Sequence, residues 1–156
     1  MAGKPAVLFV CLGNICRSPL AEGAFKAEAA RLGLDVAVDS AGIGGWHTGE
    51  SPDPRARAVA KRHGIDIGGQ RARKVIPQDF RRFRHIVALD REVLAALKAM
   101  RPANAVAELS LLLDHVKGRE GKAVADPYYG DDTDFEAAWT DVSDGARGLV
   151  LRIAKT

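Results

Sequence analysis

Cysteine is nearly absent from this chain: Cys11 and Cys16 are its only two in 156 residues. Two thiols five positions apart give no disulfide framework, and no Cys/His group has zinc-site spacing, so neither a disulfide-stapled secreted fold nor a metal centre is expected. Long hydrophobic runs are also missing. The apolar stretch at 6–10 is too short for a signal-peptide core or a membrane span, and Leu111-Leu112-Leu113 is shorter still. No basic run interleaves with aromatic residues, and the formal net charge is only +3, so nucleic acid is not an expected partner. The densest basic cluster, Arg81-Arg82-Phe83-Arg84-His85, reads as a solvated helix face or helix end. Internal repeats and low-complexity segments are lacking. With 47% hydrophobic and 28% charged residues, the chain is expected to be one globular domain over 1–156, cytoplasmic, without cofactor or membrane partner.

What is there is concentrated in one stretch. Val7-Leu8-Phe9-Val10 is rich in β-formers and runs into Cys11. Gly13 and Asn14 follow, both tolerant of positive φ, then Arg17 and a helix opening at Ser18-Pro19, with Ser as N-cap and Pro at the first helical position. A strand–loop–helix of this kind aims backbone N–H groups and the positive end of a helix dipole at one point, which is an oxyanion site. A free thiol titrates near pH ~8.5, and a helix N-terminus with nearby positive charge brings such a group to roughly 3.5–7.5. Cys11 is therefore a candidate nucleophile, and Arg17, with its planar fork, a clamp for two phosphoryl oxygens. The spacing is that of cysteine-dependent phosphatases. Taken bare, it equally describes a buried cysteine at a strand end and a surface arginine; the strand before it, the Gly-Asn within it and the Ser-Pro after it favour phosphate chemistry.

Along the chain, strands are expected at 6–11, 35–40, 85–89 and 106–111, and helices at 18–32, from Asp53 (N-cap) to Gly64, after Asp90 until Pro102, and from a Thr133-x-x-Glu136 capping box onward. Residues 65–76 read as irregular, and a short helical turn follows Pro77. The last helix carries the stripe Phe135, Ala138, Trp139, Val142, Ala146, Leu149, Val150 and Ile153. Strands alternating with helices imply a parallel sheet covered on both faces, with the ligand outside the carboxyl ends of the strands. The Gly-rich loop 41–51 presents Trp46 and His47, although a packed Trp46 fits as well.

A second special loop is Asp126-Pro127-Tyr128-Tyr129-Gly130. A thiolate-dependent phosphatase needs a group to protonate the leaving oxygen and later activate water, and Asp126 suits both tasks. By itself, Asp-Pro is an ordinary turn starter. Residues 7–22 together with 126–130 resemble the low-molecular-weight protein tyrosine phosphatases, and the likeness runs through nearly the whole chain, including 39–42, 51–56, 62–65, 72–73 and 134–136. This resemblance implies a four-stranded parallel α/β fold with helices on both faces, a flavodoxin- or Rossmann-like phosphatase I fold. It implies phosphotyrosine hydrolysis through a phosphocysteine, with Cys11 as nucleophile, Arg17 and the amides of Leu12, Gly13, Asn14, Ile15, Cys16, Arg17 and Ser18 holding phosphate, and Asp126 as general acid and base. Ser18 would stabilise the thiolate, with Asn14 and Ser40 supporting the loop. Leu12, Ile15, Trp46, His47, Tyr128 and Tyr129 would line the substrate cleft. Cys16 would be either a reversible disulfide partner for Cys11 or a small buried filler. Animal members carry a histidine in the loop-supporting network near the place of Gln70, so that support is expected to differ here.

Related chemistries compete. Arginine phosphatases of the fold have threonine at the position of Ile15 and lack the paired tyrosines; thiol-linked arsenate reductases need further cysteines; a non-catalytic phosphate-binding module needs neither Cys11 nor Asp126. The expected partner is a phosphotyrosine protein, with a bacterial tyrosine kinase as one candidate, while the oligomeric state is not legible.

Overall fold

The run Ala6–Cys11 forms β1, the strand from which the rest is hung in a computed structural model that describes residues 4–155. Its neighbours are β2 (Ala37–Gly42) and β3 (His85–Ala88), and β4 (Glu108–Leu111) follows β3, giving the order β2-β1-β3-β4 with every pair parallel. A strand alternates its side chains between faces. Val7, Phe9 and Cys11 therefore enter the core beneath α1 (Arg17–Arg31), α2 (Pro54–Arg62) and α5 (Asp132–Ala154). Leu8 and Val10 enter the opposite core, beneath α3 (Asp79–Arg82) and α4 (Arg91–Met100). Burial on both faces is why β1 is continuously apolar rather than alternating. Phe9 and Phe25 meet with ring centroids 5.5 Å apart, fixing α1 against β1; burying each such ring contributes about 1.5–3 kcal/mol.

The sheet fixes the functional end of the molecule. The chain crosses from β1 to β2 on one side and later returns to β3 on the other, so the carboxyl end of β1 lies at the switch in strand order, where α/β folds open a crevice. Cys11 is the last residue of that strand.

Several element boundaries differ from the sequence reading, each for a physical reason. Helix α1 starts at Arg17 with Cys16 as N-cap and no side-chain cap, because the Ser18 hydroxyl is engaged with Cys11 instead. Leu32 lies exposed past the end of α1 rather than on its core stripe. Strand β2 is shifted to residues 37–42, in register with β1 from Ala6↔Ala37 to Cys11↔Gly42, which carries it up to the Cys11 loop. Helix α5 begins two residues early, its capping box formed by Asp131 and Asp134, whose side chains exchange bonds with each other's amides at 3.2 and 2.9 Å. Glu136 is left free to pair with Arg62, the last residue of α2, and with His63, which follows it. A 3-10 turn at Leu112–His115, absent from the sequence reading, follows β4. The α5 stripe is buried throughout, as its periodicity predicts.

His115 closes that turn. Its Nε2 lies 2.9 Å from Ser110 Oγ and its Nδ1 faces Arg152 at 3.5 Å. Burial first, and then the Arg152 guanidinium, lower its pKa to about 4. The unfolded chain protonates this imidazole near the ordinary 6.5, before the folded chain does, so its contribution is complete above pH 6.5 and is lost as pH falls toward 4. Urea unfolding at pH 7 and pH 5 should show His115→Gln losing less stability than the wild type. A residual dependence should persist from His85, also held low by burial and neighbouring Arg152 and Arg84.

Candidate active site

The loop after β1 turns its carbonyls outward. Cys11 O accepts from Ile43 N at 3.0 Å, Leu12 O from Gly44 N at 3.0 Å, and Ile15 O from Asp53 N at 2.8 Å. A trans peptide points its N–H opposite to its C=O. The amides of Leu12, Gly13 and Cys16 thus face inward, and the uncapped N-terminus of α1 adds to the positive concavity. Gly42 permits this closeness: a Cβ there would meet Gly44 O and Leu12 O at 3.0 Å.

Asn14 holds the loop together. It is the one non-glycine residue with positive φ, +60°, among the described residues. Its Nδ2 donates to Ser18 Oγ at 2.8 Å and to Ser40 Oγ at 3.0 Å, while its Oδ1 accepts from Arg73 N at 3.0 Å. Ser18 Oγ, which accepts from Asn14, also lies 3.0 Å from Cys11 Sγ, where its hydroxyl can donate to a thiolate. Asn14 N donates to the same sulfur at 3.3 Å. Both contacts suit a sulfur carrying negative charge. Cys16 differs: burial, with Asp53 and Cys11 nearby, pushes its thiol well above the ordinary range. The two cysteines are both free and both buried, but only Cys11 is surrounded by donors.

Arg17 is buried at the N-terminus of α1. A buried guanidinium needs partners. Its Nη1 donates to Asp90 Oδ2 at 2.7 Å and to Val124 O at 2.9 Å, and Nη2 lies 3.7 Å from Asp126 Oδ2. Asp90 performs two tasks, since its Oδ1 also caps α4 through Val93 N at 2.8 Å.

A cleft of about 230 Å³ opens above this floor, lined by Cys11, Leu12, Gly13, Ile15, Cys16 and Arg17 below and by Trp46, His47, Asp126, Tyr128 and Tyr129 around the rim. Cys11 is 3% exposed, whereas Trp46 is 67% and Tyr129 96% exposed, so the sulfur lies at the bottom of an aromatic-walled slot. His47 sits over Gly13 and meets Glu50 at 3.1 Å. The structure thus gathers all the residues singled out in the sequence into one place, Ser40 reaching it through Asn14.

Residues with no obvious sequence signal also belong to it. The Arg73 amide completes the Asn14 network, and the Arg73 side chain is tied to Asp79 by two bonds of 3.0 Å and to Asp39 at 3.1 Å. Asp90 reads as a helix cap and nothing more. Gln70 donates to Pro19 O at 3.1 Å, bracing the start of α1 rather than Asn14.

A family model for "low molecular weight phosphotyrosine protein phosphatase" matches residues 6–156. The chain belongs to this family. It is 41% identical over 152 residues to the low molecular weight protein-tyrosine-phosphatase YfkJ of Bacillus subtilis, covering 96% of each chain. The crystal structure of a protein tyrosine phosphatase from Entamoeba histolytica superposes with a TM-score of 0.92 at 31% identity, covering 97% of this chain and 98% of that one. A Drosophila arginine phosphatase structure also matches, at TM-score 0.89 and 32% identity, covering 96% and 98%.

In this phosphatase-family chain, Asn14→Ala removes three hydrogen bonds and places a Cβ residue without local compensation at positive φ. The expected destabilisation is about 2–4 kcal/mol by urea unfolding. Asn14→Gly relieves only the backbone strain and should recover about 1 kcal/mol.

Proposed function

We propose that this chain hydrolyses phosphotyrosine in proteins through a phosphocysteine intermediate. The observation that carries the reading is the Ser18 hydroxyl, 3.0 Å from Cys11 Sγ, beneath a cleft that also holds Arg17 and Asp126. The Cys11 thiolate attacks phosphorus, forming the S–P bond as the aryl P–O bond breaks. Asp126 gives its proton to the leaving oxygen. Water then attacks the phosphocysteine, Asp126 takes the proton back, and the S–P bond breaks to release inorganic phosphate and the thiolate. Ser18 stabilises sulfur as attacking and then as leaving group. The inward amides and Arg17 match the charge spread over the equatorial oxygens of a loose transition state.

The depth of the slot supports an aromatic substrate. With Cys11 buried and Trp46 and Tyr128 at the rim, the longer phosphotyrosine side chain is proposed to reach the sulfur where the shorter phosphoserine arm does not. Ile15 and the two tyrosines line the walls with apolar surface, which favours a ring over a guanidinium, although an arginine phosphatase shares the fold. Arsenate reduction through a thiol relay lacks further cysteines, since Cys11 and Cys16 are the only two. Simple phosphate binding has no use for the thiol and Asp126 together. Cys16, a free thiol in the same cleft, is proposed as the reversible disulfide partner of Cys11 under oxidation. The proposed partners are cytoplasmic phosphotyrosine proteins, a bacterial tyrosine kinase among them. Among the described residues no helix is long and apolar enough to cross a membrane.

The deciding assay is hydrolysis of phosphotyrosine, phosphoarginine and phosphoserine peptides in chelator. Phosphate release from the phosphotyrosine peptide alone, abolished in Cys11→Ser with oxyanion binding retained, is expected. Wild-type-like turnover by Cys11→Ser, or preference for phosphoarginine, overturns the reading. Asp126→Ala should slow poor leaving groups most, by about 10²-fold or more; equal slowing of all leaving groups would remove Asp126 from the acid role.

A further inference from the structure

Asp126 stands on an exposed loop, and an acid on a loop works only if something holds it. Inside the loop, Tyr128 N donates to Asp126 Oδ1 at 3.1 Å and Gly130 N to Pro127 O at 2.8 Å. With Oδ1 engaged by an amide, Oδ2 is the other oxygen, and it faces Arg17 Nη2 across 3.7 Å. These bonds shape the loop, whose upstream end is tied to the body by Val124, its amide donating to Leu89 O at 2.8 Å and its carbonyl accepting from Arg17 Nη1 at 2.9 Å, and by the buried Pro127.

Arg55, near the start of α2, adds a tie on the downstream side, at Tyr128. Its guanidinium carbon lies 5.3 Å from the Tyr128 ring centroid and 4.7 Å from that of Phe135. Phe135, in the first turn of α5, is fully buried and gives a fixed wall. Asp53 holds the other edge of the guanidinium through Nε–Oδ1 at 3.1 Å and Nη2–Oδ2 at 3.0 Å. Asp53 is itself fixed: it caps α2 through Arg55 N at 2.8 Å, and its own amide donates to Ile15 O in the phosphate loop. A continuous chain of contacts thus runs from the phosphate loop through Asp53 and Arg55 to the Tyr128 ring, and from the Tyr128 amide to Asp126.

We propose that Arg55 is a positioning residue for Asp126, gripping the Tyr128 ring so that the Tyr128 amide presents the carboxyl group toward the cleft. This rests on the reading of Asp126 as general acid and base. Arg55 touches neither the phosphoryl group nor Cys11. Without it the Cys11 loop keeps its outward ties to Ile43, Gly44 and Asp53, whereas the Asp126 loop loses its anchor at Tyr128.

The experiment compares kcat/KM for 4-nitrophenyl phosphate, a good leaving group, with phenyl phosphate, a poor one, in wild type, Arg55→Met, Asp126→Asn and the double variant. Arg55→Met should lose about tenfold more with phenyl phosphate than with 4-nitrophenyl phosphate. The double variant should be no more selective between leaving groups than Asp126→Asn. The rate of Cys11 alkylation by iodoacetate should be unchanged. Asp53→Asn keeps the capping oxygen but loosens the grip on Arg55, and should shift selectivity in the same direction by less; it carries the comparison if Arg55→Met does not fold. An equal loss on both substrates, multiplicative losses of selectivity in the double variant, or slowed alkylation overturns the role. Absence of wild-type turnover on either substrate rejects the phosphatase reading itself, whereas an active wild type with unselective variants rejects Arg55 alone.

Discussion

The carboxamide of Asn14 is the interaction on which the site depends. It occupies a left-handed backbone position in the middle of the phosphate loop and uses both amide hydrogens and its oxygen on Ser18, Ser40 and the Arg73 backbone. One side chain thereby links β1's loop, β2 and the segment before α3. It also fixes the place of the Ser18 hydroxyl, 3.0 Å from Cys11 Sγ, where it can donate to a thiolate. A buried network of this kind is favourable only when every member is satisfied, and here Asn14 is.

Charge is distributed by the same logic. Arg17 is buried yet sits between Asp90 and Asp126, so the cleft floor holds a cation whose partners leave room for an incoming anion at the amides beside it. Asp53 stays ionised because the Arg55 guanidinium and nearby amides outweigh the effect of burial. Its negative charge, with burial, keeps Cys16 a neutral thiol. Of two cysteines five residues apart, one faces donors and the other faces carboxylates, and this difference separates their chemistry.

Much was legible in the sequence because it is local. The apolar run before Cys11, the Asp53-Pro54 helix start and the stripe on α5 are patterns of neighbouring residues, and periodicity reads such patterns. The misplacements were also local. Thr133 and Glu136 matched a capping box, but Asp131 and Asp134 formed it, and Ser18 matched an N-cap but bonds to sulfur. In each case two polar residues competed for one role, and the winner was chosen by what else lay nearby.

The sequence by itself determined the strand–loop–helix, the nucleophile and the clamp, since Cys11, Asn14, Arg17 and Ser18 lie within eight residues and their spacing constrains their geometry. Only the tertiary structure decided what supports them. Asp90 is 73 residues from Arg17 and the Arg73 amide 59 from Asn14, and an aspartate cap or a loop backbone carries no mark of its distant partner. Such pairings follow from the order of strands in the sheet, which brings the loops after β1, β2 and β3 to one edge, and that order is fixed by burial of both sheet faces rather than by any local signal.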